Sequence, residues 1–335
     1  MRRGLVAVVA VLAAFFAAQP ALATSWAQPQ IKVVVANSLM GPSVNNFRAK
    51  QNITRAELGT AIAALTGESQ VVVDPDAEVT IAELDAAIVR ALGLRPAAKT
   101  FQKKVKGAGL EPPRRLGNEV VARLIWLRFN HPQEDDRLEL RPQDPATRAE
   151  AAYSLARALQ ISQWEKDNVV FLADSFSLPA YGDWPKRVLQ RAVHFIGYPY
   201  VWGGMSEHQQ VTFGVTSRGG FDCSGFVWRV YKLQAFPNGG NLPNVLQGRT
   251  TYQMSGEVPK SKRIPFDRLK AADVAFFGSD GRRSSPSEVD HTGLALGKGW
   301  MIHSSSQGVA FVPLTGWYHD RFAWARRPLR EAGLL

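Results

Sequence analysis

Cys223 is the single cysteine of this 335-residue chain, and it lies in Phe221-Asp222-Cys223-Ser224-Gly225. With no second cysteine for an intrachain disulfide, its sulfur serves either packing or thiol chemistry. The spacing of Phe226, Val227, Val230 and Tyr231 predicts an amphipathic helix that begins at this motif and carries the sulfur in its first turn. Free N–H groups and the helix dipole there favour thiolate, the nucleophilic form. An inert, buried cysteine is the competing reading of the motif taken alone.

Downstream, Asp290-His291-Thr292-Gly293-Leu294-Ala295-Leu296 and Trp300-Met301-Ile302-His303-Ser304 flank Gly297-Lys298-Gly299, the pattern of an antiparallel hairpin. A turn that takes all three central residues sets Leu296 opposite Trp300 and Gly293 opposite His303. Side chains alternate faces with period two, so His291 becomes the diagonal neighbour of His303 on one surface. One imidazole can then take the thiol proton while the other fixes its tautomer, as nucleophilic catalysis requires. A two-residue turn sends the pair to opposite faces.

Together with Tyr198-Pro199-Tyr200-Val201-Trp202-Gly203-Gly204, Arg249-Thr250-Thr251-Tyr252-Gln253 and Asp273-Val274-Ala275-Phe276-Phe277, these motifs resemble the NlpC/p-sixty family of bacterial cell-wall cysteine peptidases over residues 183 to 327. The resemblance implies a permuted, papain-like α+β domain, in which a helix bearing the cysteine packs on an antiparallel sheet bearing the histidines. By motif it makes Cys223 the nucleophile, His291 the general base and His303 the polar group that orients it. Tyr200, Asp222 and Ser224 match positions that contact substrate. The implied reaction cuts a peptidoglycan stem-peptide bond, commonly γ-D-glutamyl to diamino acid, through a thioester acyl-enzyme with the Cys223 N–H as oxyanion donor. An amidase or acyltransferase on the same scaffold and a non-catalytic wall-binding protein are the alternatives. Two segments, 205–220 and 278–289, are longer than the family pattern, the second with Arg282, Arg283 and the nearby Ser284, Ser285 and Ser287; such loops often carry specificity. No cofactor is expected, and no metal, because the two histidines come without a carboxylate or cysteine cluster at ligand spacing.

The elements that must position these groups are framed by the rest of the chain. Arg2 and Arg3, the apolar run Leu5 to Ala18 and Ala21-Leu22-Ala23 describe a secretory signal peptide over residues 1–23. That run is too short to span a bilayer. A secreted, extracytoplasmic or wall-associated protein is expected, with no stable membrane insertion after cleavage. Residues 181–335, the expected peptidase domain, hold 19 Lys+Arg and 11 Asp+Glu within a chain of formal net charge +11. Such a balance concentrates anionic polymer, and peptidoglycan with its carboxylates fits as the partner. Export and the lack of a recognition motif exclude nucleic acid.

Between these ends, residues 24–180 hold three echoes: Thr54-Arg55-Ala56-Glu57, Thr80-Ile81-Ala82-Glu83 and Thr147-Arg148-Ala149-Glu150. Thr three residues ahead of Glu is a capping box, so each opens a helix. Leu58, Ile62 and Leu65, then Leu84, Ile88 and Leu92, then Leu155 and Leu159 supply the apolar faces. The region reads as an all-α repeat region that resembles S-layer homology repeats. That resemblance implies wall-polysaccharide binding through the arginine position, held by Arg55 and Arg148 and replaced by Ile81 in the second copy.

Overall fold

The computed structural model describes residues 25–128, 139–233 and 236–335; the expected signal peptide lies outside these. The first part is helical: α1 (Gln28–Ala36), α2 (Arg55–Thr66), α3 (Ile81–Ala91), α4 (Arg95–Gly107), α5 (Leu116–Leu124), α6 (Arg148–Gln160), α7 (Gln163–Ser175) and α8 (Asp183–His194). Thr54, Thr80 and Thr147 cap α2, α3 and α6 by accepting the N–H of Glu57, Glu83 and Glu150. These three cap segments meet in a closed ring of backbone bonds. Ile53 N donates to Ala146 O (3.0 Å), Ala146 N to Val79 O (2.7 Å) and Val79 N to Ile53 O (3.1 Å). The residue after each cap threonine then serves its neighbour in the ring. Arg55 pairs with Glu83 at 3.0 Å and Arg148 with Glu57. At the third position Ile81 is buried without charge, and Arg128 takes over, its Nη1 3.0 Å from Glu150.

Burial follows the helical spacing with one exception. Leu58, Ile62, Leu84, Ile88 and Leu155 are buried and Leu65 and Leu92 half-buried against the core, whereas Leu159 is exposed, on the wall of a groove beside α2 and α3.

The second part opens with two short antiparallel ladders. β1 (Met205–Ser206) pairs β4 (Gly220–Phe221), and β2 (Gln210–Thr212) pairs β3 (Val215–Ser217), so the 205–220 segment folds back on itself. It leads into α9 (Cys223–Tyr231), followed by α10 (Leu242–Val245) and α11 (Thr251–Gly256). The remaining elements are β5 (Val274–Gly278), β6 (Val289–Gly297), β7 (Trp300–Ser305), β8 (Gly308–Pro313), α12 (Trp317–Arg321), β9 (Phe322–Arg326) and α13 (Pro328–Glu331). Strands β5 to β9 form an antiparallel sheet in the order β8-β7-β6-β5-β9. The α+β class with a leading helical region is therefore as the sequence implies.

Period-two alternation gives the sheet two different faces. Val274, Phe276, Leu294 and Ile302 point into a core shared with α9 and the leading helices. Phe101 and Phe176 from the helical part pack against Trp300 and Phe311 of β7 and β8, with ring centroids 4.8 to 6.2 Å apart. The opposite face carries Ala275, Phe277 and Met301 beneath Ile264, Phe266 and Tyr318.

The two parts are also joined by charge. Arg123 of α5 is buried, pairs with Glu139 at 2.6 Å and donates to the carbonyls of Gly197 and Gln307, while Gln307 Nε2 donates back to Arg123 O. Gly197, at φ +83°, lies against Glu119, and a Cβ there would sit 2.2 Å from that carboxylate. Beside this cluster, burial and the neighbouring Glu119 push the Asp85 carboxyl up to about 8. Asp85 therefore stays protonated at neutral pH and adds no charge to the Arg123, Arg128, Glu139 and Glu150 set.

Candidate active site

Cys223 is the first residue of α9, with Asp222 as N-cap: Asp222 Oδ1 accepts the N–H of Gly225. The helix runs inward through Phe226, Val227 and Val230, all buried. Its first turn is thereby held against β6, where Cys223 Sγ lies 4.0 Å from Asp290 O. The N–H groups of Ser224 and Thr292 face the sulfur. The thiol thus sits between the two chain neighbours of His291.

The hairpin reaches the expected register by another route. Leu294 pairs Ile302 and Ala295 pairs Met301, but Gly297 pairs Trp300, so Leu296 is a bulge and the turn itself is Lys298-Gly299. The extra residue restores the alternation that a two-residue turn removes. A Cβ on Gly293 would come 2.8 Å from His303 Cβ, so glycine lets the strands close at the site. His291 Nε2 and His303 Nδ1 meet at 2.7 Å, with ring planes 89° apart.

Electrostatics depart from the thiolate expectation. Burial pushes the Cys223 thiol up to about 12, aided by the Asp222 charge, and outweighs the facing N–H groups. Burial takes His291 down to about 4, and it takes His303 well below the ordinary imidazole range. The resting pair is therefore neutral thiol and neutral imidazole, because desolvation acts on both and no carboxylate compensates at His303. Asp290 favours the imidazolium of His291, but Arg321, paired to Asp290, opposes it.

This constellation can be set against known proteins. Residues 197–327 match the NlpC/P60 family. The chain carries an NlpC/P60 family domain. It is 30% identical over 128 residues to a gamma-D-glutamyl-L-lysine dipeptidyl-peptidase of Bacillus subtilis (strain 168), covering 38% of this chain and 34% of that protein. It is 31% identical over 145 residues to murein DD-endopeptidase MepH of Escherichia coli (strain K12), covering 42% of this chain and 45% of that protein. A solved NlpC/P60 family protein from Bacillus cereus aligns at 25% identity over 46% of this chain and 43% of that one, with a TM-score of 0.33. The chain thus spans about a third to just under half of the length of these relatives.

Within the NlpC/P60 domain the three expected substrate contacts lie beside the cysteine, but two are already engaged. Asp222 and Ser224 are buried, Ser224 Oγ donates to Asp222 Oδ1 (3.0 Å), and Arg249 binds both. Its Nη1 lies 2.7 Å from Ser224 Oγ and its Nη2 3.1 Å from Asp222 Oδ2, with further bonds to the carbonyls of Gly203 and Gly204. Arg249 therefore ties three of the sequence motifs together, a role its place in the Arg-Thr-Thr segment did not reveal. A buried Asp at a helix start, needing a cation, was the available signal. Tyr200 is half-buried and bridges Phe221, next to the nucleophile motif; burial and the neighbouring Cys223 push its phenol up. The sequence also gave no role to α12, whose Trp317, Tyr318 and Arg321 close over the histidine pair. Among the described residues no group of three or more His, Cys, Asp and Glu could hold a metal ion.

Proposed function

We propose that this protein is a secreted peptidoglycan hydrolase, a cysteine endopeptidase of stem-peptide bonds. The observation that carries the reading is the 2.7 Å His291–His303 contact beside Cys223 at the start of α9, inside a domain that matches NlpC/P60. Cys223 attacks the peptide carbonyl as its proton passes to His291 Nδ1, and His303 holds the imidazole through Nε2. The Cys223 N–H, free of an intrahelical partner at this position, stabilises the oxyanion. His291 returns the proton to the leaving amine, and water hydrolyses the thioester. Tyr200, Asp222 and Ser224, organised by Arg249, shape the acyl side of the cleft.

The relative named for a γ-D-glutamyl-L-lysine bond supports the γ-D-glutamyl to diamino acid link as the target. Digestion of purified peptidoglycan by the protein, with fragments weighed by mass spectrometry, is expected to release products ending in D-glutamate. Cleavage at D,D cross-links, transfer to an added amine, or binding without fragments would each replace this reading with a different one.

In the same proposal residues 1–23 are a signal peptide, 24–180 a helical wall-binding region and 181–335 the peptidase domain. Among the described residues no helix is long and apolar enough to cross a membrane. The groove beside α2 and α3, of about 850 Å³, is lined by Arg55, Glu83, Arg90 and Lys166 over Leu58 and Ile62. It suits a wall polysaccharide that offers both hydroxyls and negative charge. Arg148, buried against Phe47 and bonded to its carbonyl at 2.7 Å, is structural. Arg55→Ala is therefore expected to weaken co-sedimentation of the Cys223→Ala protein with purified walls while leaving its melting temperature unchanged, and Arg148→Ala to lower the melting temperature. Unaltered sedimentation of Arg55→Ala at low salt would remove the groove from the proposal.

A further inference from the structure

The nitrogens of His303 face two different partners. Nδ1 meets His291, and Nε2 lies 3.4 Å from the hydroxyl of Tyr318, whose ring stands edge-on to the imidazole at 5.2 Å and 89°. Tyr318 is held there by its own helix. Trp317 stands beside the His291 ring, Arg321 pairs with Asp290 at the head of β6, and Phe277 packs against both Tyr318 and His291. His303 is fully buried.

We propose that Tyr318 sets the tautomer of the histidine pair and so decides whether His291 can accept the thiol proton. The argument follows the protons along the chain. To act on a thiol through Nδ1, His291 must carry its own proton on Nε2 and donate it to His303 Nδ1. His303 then carries its proton on Nε2, which, on a fully buried ring, needs an acceptor. The Tyr318 oxygen is that acceptor. If instead the phenol donates to His303 Nε2, His303 donates from Nδ1, and the proton of His291 moves to Nδ1. His291 is then no longer a base toward Cys223. Burial holds the phenol far above neutrality, so Tyr318 stays un-ionised at working pH and serves through its oxygen lone pairs.

Tyr318 is thus a positioning residue, separated from the sulfur by the two histidines. The inference rests on the hydrolase reading for its meaning, but its test does not need turnover. Long-range proton–nitrogen NMR of the substrate-free protein labelled at histidine is expected to show both His291 and His303 as Nε2–H tautomers. Finding His303 as Nδ1–H in the wild type overturns the proposal without any variant. Tyr318→Phe removes the acceptor, and the expected spectrum moves His303 to Nδ1–H and His291 with it. In a muropeptide assay the same variant is expected to lose roughly 10- to 100-fold in kcat with KM within about 2-fold, the scale for removing a group that orients a functional side chain from behind. A Tyr318→Phe protein that melts as wild type and keeps both tautomers and kcat overturns the proposal. Should the wild type cut no peptidoglycan while the tautomers shift as described, the hydrolase reading fails and this inference stands.

Discussion

Cys223→Ala is expected to lower muropeptide cleavage by a factor of about 10⁴ or more, because the acyl-enzyme route disappears with the sulfur. The loss should come without unfolding. Removing one sulfur leaves the Asp222 cap, the Arg249 bonds and the Phe226–Val230 face of α9 in place. Wild-type turnover by this variant, measured by the same fragment analysis, would end the peptidase reading. The wild-type assay across pH adds a second check. The competent form is neutral thiol with neutral imidazole, bounded below by His291 at about 4 and above by Cys223 at about 12. Activity is expected to fall on acidification toward pH 4 and to show no basic limb from this pair below pH 10. Iodoacetamide is expected to label Cys223 more slowly than a free thiol, with its pKa of about 8.5, at pH 8. Stability follows the same groups. His291 is depressed below its unfolded value near 6.5, so the unfolded chain binds more protons between these values, and stability is lost as pH falls through that window. An activity maximum centred on neutral pH with rapid labelling would restore the thiolate that helix position alone suggested.

Why the sequence led to the thiolate is instructive. The helix start, the period-two strands and the Thr-x-x-Glu caps are local patterns, and each reappears at its residues: Cys223 opens α9, His291 and His303 share a face, and Thr54, Thr80 and Thr147 cap their helices. Burial is not local. The depth that shifts Cys223 and His291 comes from α12 folding over the sheet and from α9 pressing on β6, contacts made between residues 26 to 67 positions apart. The same distance hid Arg249, which binds Asp222 from 27 positions away, and Tyr318, which reaches His303 from a separate helix. The hairpin register came out right although its turn is shorter than expected, since the Leu296 bulge replaces the missing turn residue. Arg148 shows the limit of motif matching in the other direction. Its place in the echo equals that of Arg55, yet the ring of caps is uneven, and Arg148 falls on the side closed by Phe47.

The helical region meets the NlpC/P60 domain at the buried Arg123 as well as at the Phe101–Phe176–Trp300 contacts, and the second large effect is expected at Arg123. Arg123→Met is expected to destabilise the protein by about 3–5 kcal/mol, the range for breaking a buried pair. It strips the Gly197 and Gln307 carbonyls of their donor and takes one of two arginines from Glu139. The Gly197 carbonyl has no water to turn to, because its contact with Arg123 is buried where α5 packs against β8. The damage lies close to the chemistry. Gly197 leads directly into Tyr198-Pro199-Tyr200, and Gln307 sits in the turn that ends the His303 strand. Thermal melting is therefore expected to drop well before activity is assayed, and kcat measured below the new midpoint is expected to fall as well. The double variant Arg123→Met/Glu139→Gln separates a true pair from a general core lesion. With the carboxylate gone, part of the penalty for an under-compensated charge disappears, so the double variant is expected to melt higher than Arg123→Met alone. Simple additivity of the two single losses would mean that packing, and not the buried pair, joins the helical region to the NlpC/P60 domain. A melting temperature unchanged by Arg123→Met would mean that the two parts are held by the Phe101–Phe176–Trp300 contacts without it.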